Sequence, residues 1–84
     1  MNYKEISKIN RNTDRLCSFI KSMGGEQFAQ SCGSSYFNYN GQTVRISNHA
    51  SGGYSSLIHE DTDINIVVRS CDEMFFYLKK YFNF

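Results

Sequence analysis

The chain contains the stretch SYFNYNGQTVRIS at residues 35–47, where two short runs of alternating side chains flank Asn40-Gly41. An Asn-Gly pair favours a two-residue type I′ turn, because both central residues of that turn need positive φ. Such a turn fixes the register of a hairpin, so Phe37 lies opposite Val44 on one face and Tyr36 opposite Arg45 on the other. The apolar face predicts three core residues: Phe37, Val44 and Ile46.

Two amphipathic helices are predicted, one on each side of this hairpin in the chain. From Asn2 to about Met23, apolar residues recur at spacings of three, four and seven, which places them on one stripe of a helix. Gly24-Gly25 supplies its stop. Near the other end of the chain, Ser70 and Glu73 match a capping box, which indicates the start of a second helix.

The remaining segments complete the predicted order of elements. Residues 63–69 alternate and predict a third strand. Residues 26–34 are interpreted as a connection or a short helical turn, and His49 to about Thr62 as a long loop. The order is then α-β-β-β-α. We therefore expect a single α+β domain over residues 1–84, with a three-stranded antiparallel sheet and both helices on its hydrophobic face.

Composition excludes several classes of function. The chain has 84 residues, of which 40% are hydrophobic and 15% aromatic, enough for the core of one small domain. Its net charge of +1 gives no field that attracts nucleic acid or anionic lipid. No apolar run approaches the roughly 20 residues that cross a bilayer, and charged residues interrupt any signal-like segment near the start. We expect a cytoplasmic protein.

Three cysteines and two histidines are the candidate metal ligands, and zinc is the ion that suits such a set. In a three-stranded meander, Cys32, His49 and His59 lie at one end of the sheet, where Cys17 or an acidic loop residue would be the fourth ligand. The alternative keeps Cys17 and Cys71 as core thiols and both histidines on the surface. Because no two ligands have the close spacing of a zinc finger, we favour this alternative and assign no firm cofactor.

Catalytic signatures are missing from the sequence. Cys32 with His49 would form a nucleophile and base, or His59 would form a hydrolytic cluster with Glu60, Asp61 and Asp63. The chain nevertheless lacks a glycine-rich phosphate loop, a nucleophile elbow and an HExxH helix. We therefore predict that it is not an enzyme.

Large side chains outside the predicted core point to binding through a surface instead. Tyr and Arg are the residues that most often anchor protein interfaces, and Tyr36 with Arg45 forms a predicted cation–π pair. We expect four residues to contact a partner protein: Tyr36, Arg45, His49 and Tyr54. The alternative is a small nucleic-acid-binding or regulatory module that uses Arg45, Lys79 and Lys80, although the acidic start of the last helix, Cys71-Asp72-Glu73, disfavours phosphate there.

The hairpin also carries a resemblance. Ser35-Tyr36-Phe37, followed after the turn by Thr43 to His49, is similar to a hairpin pattern of small accessory proteins from phages and other mobile elements. A short chain rich in Asn, Tyr, Phe and Lys also resembles the anti-CRISPR proteins, which block Cas nucleases by occupying a protein surface. The resemblance implies a steric inhibitor of a larger protein in the host bacterial cytoplasm, as a monomer or small homo-oligomer. It directs attention to Arg45 and His49. Some anti-CRISPR proteins hold a structural zinc, so the resemblance also favours the metal site.

Overall fold

A computed structural model describes residues 3–49 and 52–82, in which a five-stranded antiparallel sheet packs against two helices. The elements in chain order are α1 (Tyr3–Ser22), β1 (Glu26–Ser31), β2 (Ser34–Tyr39), β3 (Gln42–His49), β4 (Tyr54–His59), β5 (Asn65–Val68) and α2 (Cys71–Tyr81). The strands follow one another across the sheet in chain order, β1-β2-β3-β4-β5. The sheet is therefore a simple meander between two helices.

The predicted three-stranded sheet is wrong, because two further strands occupy the segments interpreted as a connection and a loop. All six residues of β1 are exposed, so this strand has no apolar alternation to reveal it. β4 lies inside the predicted loop, and two of its three core-facing residues, Ser55 and His59, are polar. The order of elements is α-β-β-β-β-β-α.

The hairpin prediction is confirmed in its register and in its faces. Asn40 and Gly41 have φ of 52° and 74°, as a type I′ turn requires. Phe37 pairs with Val44 and is fully buried, while Tyr36 pairs with Arg45 on the other face. The turn therefore decides which side of β2 and β3 enters the core.

The predicted stop of α1 and the predicted start of α2 also agree with the structure. The predicted start of α1, at Asn2, lies outside the described residues. Gly24, with φ of 102°, donates its N–H to Lys21 (3.1 Å), and Gly25 donates to Ile20 (2.8 Å), which is a Schellman stop. At the start of α2, the Ser70 hydroxyl accepts the N–H of Glu73 (3.2 Å). No helix in residues 3–49 and 52–82 combines the length and the apolar character needed to cross a membrane.

Both helices pack on the same face of the sheet. Their fully buried side chains join those of β2 to β5 in one cluster: Leu16, Ile20, Met74, Leu78 and Phe82 from the helices, and Phe37, Tyr39, Val44, Ile46, Leu57 and Val68 from the strands. On β5, Val68 is fully buried and Ile66 is half-buried. The opposite face of the sheet has no described element over it.

We predict that Phe37→Ala lowers the free energy of unfolding by about 3–5 kcal/mol, since it removes a buried ring from the centre of the core. Urea denaturation followed by circular dichroism measures the loss. Phe28→Ala is the matched control, because that ring is 61% exposed and its removal should cost less than about 1 kcal/mol. A loss below about 1 kcal/mol for Phe37→Ala would show that the hairpin faces are reversed.

Candidate functional site

The face of the sheet turned away from the helices is the main accessible surface of the strands, and we call it the open face. Its side chains alternate with the buried ones and meet in cross-strand pairs, such as Arg45 between Tyr36 and Ile58. Its large side chains come from all five strands: Phe28, Tyr36, Arg45, His49, Tyr54, Ile58 and Val67. The open face is thus a mixed surface of aromatic, aliphatic and basic groups.

Arg45 is held at the centre of this face by three contacts. Its guanidinium carbon lies 5.5 Å from the centroid of the Tyr36 ring, its Nε donates to Ser34 Oγ (3.0 Å), and its Nη1 lies 3.5 Å from Glu60 Oε1. The side chains of Arg45 and Glu60 are each 34% exposed, so their ion pair contributes only about 0–1 kcal/mol to stability. Its larger effect is to fix a long side chain in one orientation.

Phe28 extends the face onto β1 and was not predicted from the sequence. It sits in a β-bulge between Gln27 and Ala29, where the register of β1 against β2 shifts. Its ring centroid lies 6.4 Å from that of Tyr36, which places the ring on the open face, and the residue is 61% exposed. The bulge breaks the alternation that marks a strand. The only signal is that Phe28 is the one large apolar residue in residues 26–34.

His49 and Tyr54 occupy another corner of the open face, beside the connection between β3 and β4. They form a cross-strand pair, and their rings stack with centroids 4.6 Å apart and an interplanar angle of 26°. All four residues predicted to contact a partner therefore lie on one face of the sheet. Tyr36 and Arg45 share this face because of the hairpin register. Tyr54 joins them because it belongs to β4, a strand that the sequence did not predict.

The charges of the open face nearly cancel. Arg45 is paired with Glu60, and Glu26 pairs with Asn38 at the β1 edge of the same face. The two lysines named for nucleic-acid binding lie elsewhere, on α2, with the Lys79 ammonium 5.3 Å from the Phe75 ring and the Lys80 ammonium 5.9 Å from the Phe76 ring. Arg45, Lys79 and Lys80 therefore do not form one basic surface.

The candidate zinc site requires Cys32, His49 and His59 to lie at one end of the sheet, and this placement is wrong. Because β3 and β4 are antiparallel, His49 pairs with Tyr54 at one end of the pair and His59 with Val44 at the other. Cys32, in the turn between β1 and β2, lies at the His49 end, since neighbouring Ser34 pairs with Ser47. Over the ranges 3–49 and 52–82, no group of three or more His, Cys, Asp or Glu side chains is arranged to hold a metal ion.

His59 instead belongs to the packing between sheet and helix. It is buried, and its ring stacks on Phe82 with centroids 4.4 Å apart. Its Nδ1 accepts the N–H of Asp61 (3.2 Å), so Nε2 carries the proton and donates to Gln42 Oε1 (2.7 Å). Gln42 Nε2 then donates to the carbonyl of Phe82 (2.8 Å). The histidine that we considered for a hydrolytic cluster joins β3, β4 and the end of α2.

Cys17 and Cys32 differ sharply in environment. Cys17 is half-buried on α1, and burial raises the pKa of its thiol, although the side chain of Ser35 acts in the opposite direction. Cys32 is exposed in its turn. No hydrogen bond joins Cys32 to His49 in the part of the chain that the structure describes. The two do not form the bonded nucleophile and base that catalysis by a thiol requires.

No family model, no curated protein and no solved structure matches the chain. A function must therefore be inferred from the surface itself, because a fold of this class alone implies none. The open face is the surface whose residue types and exposure favour a specific role.

We predict that iodoacetamide at neutral pH alkylates Cys32 at least about tenfold faster than Cys17, because burial shields Cys17 and its raised pKa leaves less reactive thiolate. Peptide mass spectrometry over a time course gives both rates. In urea the two rates should converge. Equal rates in the folded protein, or faster labelling of Cys17, would contradict the placement of Cys17 between α1 and β2.

Proposed function

We propose that this chain is a non-enzymatic, protein-binding inhibitor that occupies a surface of a larger bacterial protein with its open face. A Cas nuclease is the first candidate partner, because anti-CRISPR proteins, which the hairpin and composition resemble, act on such nucleases. The observation that carries the proposal is the row formed by Phe28, Tyr36 and Arg45 across three strands.

This row has the chemistry of an interface anchor. Aromatic side chains and Arg bring a large contact area and directional bonding, and they dominate the binding energy of many complexes. Phe28 is 61% exposed on a rigid sheet, and burying it against a partner removes apolar surface from water. Arg45 is already held by its three contacts, so binding costs little of its conformational entropy.

The edge of β1 adds a second binding element at the same corner. An edge strand presents unpaired backbone N–H and C=O groups, and a partner strand can bond to them. β1 carries no Lys or Pro, the residues that usually block such pairing. The opposite edge, β5, is shorter, and its Val68 carbonyl already accepts a hydrogen bond from Asn12 Nδ2 (3.4 Å). A partner that binds both β1 and Phe28 would use one continuous surface.

Inhibition by this means is steric. The strands that carry the row are joined by tight turns at Cys32-Gly33 and Asn40-Gly41, so the open face is presented as one rigid unit. A rigid domain that docks beside a substrate channel or a moving part blocks it without any chemical step. No catalytic residue is needed for this mode of action.

The second candidate, a small nucleic-acid-binding or regulatory module, is less well supported by the charges. Nucleic-acid affinity arises mainly from cations that neutralise phosphates. On the open face Arg45 is already paired with Glu60, and Lys79 and Lys80 lie on α2. Binding that falls steeply with salt and extends to bare DNA or RNA would favour this candidate over the first.

We predict that Phe28→Ala and Arg45→Glu each weaken partner binding by about 10- to 100-fold, the effect of removing an anchor worth about 1.4–2.8 kcal/mol. The protein captures its partner from a lysate that contains Cas nucleases, mass spectrometry identifies it, and the affinity of each variant is then measured with the purified partner. Phe76→Ala is the matched control, because that ring is 58% exposed but lies on α2.

Circular dichroism should show that all three variants remain folded, since none of them changes a buried side chain. If Phe76→Ala weakens binding as much as Phe28→Ala, the interface lies on the helical layer and the proposal is wrong. Unfolding of Arg45→Glu would contradict the placement of Arg45 outside the core.

A further inference from the structure

A concave surface lies beside α1, where that helix meets the start of β4 and the end of β5. It encloses about 470 Å³, within the range of small-molecule sites, roughly 300–1,000 Å³. Three cationic residues line it: Lys8, Arg15 and Arg69. We call it the basic cavity.

The fold brings these three cations together from distant parts of the chain. Lys8, Asn12 and Arg15 are spaced by four and three residues, so they lie on one side of α1. Asn12 Nδ2 donates to Ser55 Oγ (3.2 Å) on β4 and to the Val68 carbonyl (3.4 Å) on β5, which turns that side of the helix toward the strand ends.

Arg69 approaches from the other wall of the basic cavity. It directly follows β5, and the Cys71 thiol two residues later donates to the backbone carbonyl of Arg15 (3.8 Å). The start of α2 is thereby tied to α1 beside the cavity. The three cations therefore converge on one opening, although Lys8 and Arg69 are far apart in the chain.

The charge of the basic cavity is not neutralised by its own lining. None of the residues that line it is acidic. Within the described ranges, neither Lys8, Arg15 nor Arg69 takes part in a salt bridge, in contrast to Arg45 on the open face. The acidic residues near Arg15 and Arg69 along the chain all lie outside the lining: Asp14, Asp72 and Glu73. Glu73 instead accepts the backbone N–H of Arg69 (2.7 Å) at the helix start. A local excess of positive charge in a concave site favours an anion.

The cavity also has an apolar part. Ile9, Tyr54 and Val68 line it together with the cations, so it suits a ligand with both a charged and an apolar portion. Guanidinium groups bind phosphate through two parallel hydrogen bonds, and Lys adds a point charge. We propose that the basic cavity binds a small phosphorylated molecule of nucleotide size. Its phosphate lies at the three cations, and its body packs against Ile9 and the exposed ring of Tyr54.

Isothermal titration calorimetry with three probes tests the site: AMP, inorganic phosphate and adenosine. AMP should bind with a saturable isotherm, phosphate more weakly because it lacks the apolar contacts, and adenosine least because it lacks the charge. Arg69→Gln and Arg15→Gln should each weaken AMP binding about tenfold, as expected for the loss of a charge-assisted hydrogen bond. Arg11→Gln is the control, since Arg11 is an exposed cation of α1 outside the lining.

Each remaining outcome decides against the proposal. Equal affinities for adenosine and AMP would show that the phosphate contributes nothing to binding. Equal losses of AMP affinity in Arg11→Gln and Arg69→Gln would show an effect of net charge alone. A short single-stranded oligonucleotide that binds more tightly than AMP would assign the cations to a nucleic-acid backbone. No binding of any probe would refute the site. Phe28→Ala should bind AMP as the unaltered protein does, because Phe28 lies outside the lining of the basic cavity.

Discussion

The two-residue turn at Asn40-Gly41 is the constraint from which the rest of the structure follows. Because side chains alternate along a strand, a shift of one residue in this hairpin would move Phe37, Val44 and Ile46 from the core to the solvent. The positive φ of both turn residues excludes that shift at little cost, since Asn and Gly tolerate this conformation. The same register places Tyr36 and Arg45 side by side on the outside.

From that register, the two faces of the sheet acquire different roles. The inner face takes both helices, and two of its buried polar residues make tertiary hydrogen bonds: Ser55 with Thr13 (2.7 Å), and His59 with Gln42 (2.7 Å). The outer face keeps its aromatic and basic groups accessible. β1 lies beyond the cover of the helices and is exposed along its whole length. Stability thus comes from one side of the sheet, while the other side remains available for binding.

The parts of the fold that the sequence predicts are those specified by local interactions. The Asn-Gly turn, the glycine stop of α1 and the Ser70 cap of α2 each depend on a few neighbouring residues. β4 escaped prediction because Ser55 and His59 face the core as polar residues. Tertiary contacts make their burial favourable: Ser55 with Thr13, and His59 with Gln42 and Phe82. β1 escaped because an exposed edge strand needs no apolar residues.

The candidate surface divides in the same way. The hairpin register predicts the pairing of Tyr36 with Arg45. Phe28 could not be predicted to lie on this face because it sits in a bulge, and His59 was placed at the wrong end of the sheet because β4 was not predicted. Treating residues 49–62 as a loop places both histidines at one end of the sheet, and the candidate zinc site, which we did not favour, depends on that placement. Because neighbouring strands of a meander run in opposite directions, missing β4 reverses the predicted direction of β5.

Hydroxyl-radical footprinting, read by peptide mass spectrometry, measures most directly which face of the sheet meets the partner. The free protein should be oxidised at Phe28 and at Phe76, the two most exposed large hydrophobic side chains among the described residues. In complex with its captured partner, Phe28 and Tyr36 should become protected while Phe76 stays reactive. Protection confined to Phe76 and its neighbours on α2, with Phe28 unchanged, would contradict the assignment of the open face as the binding surface.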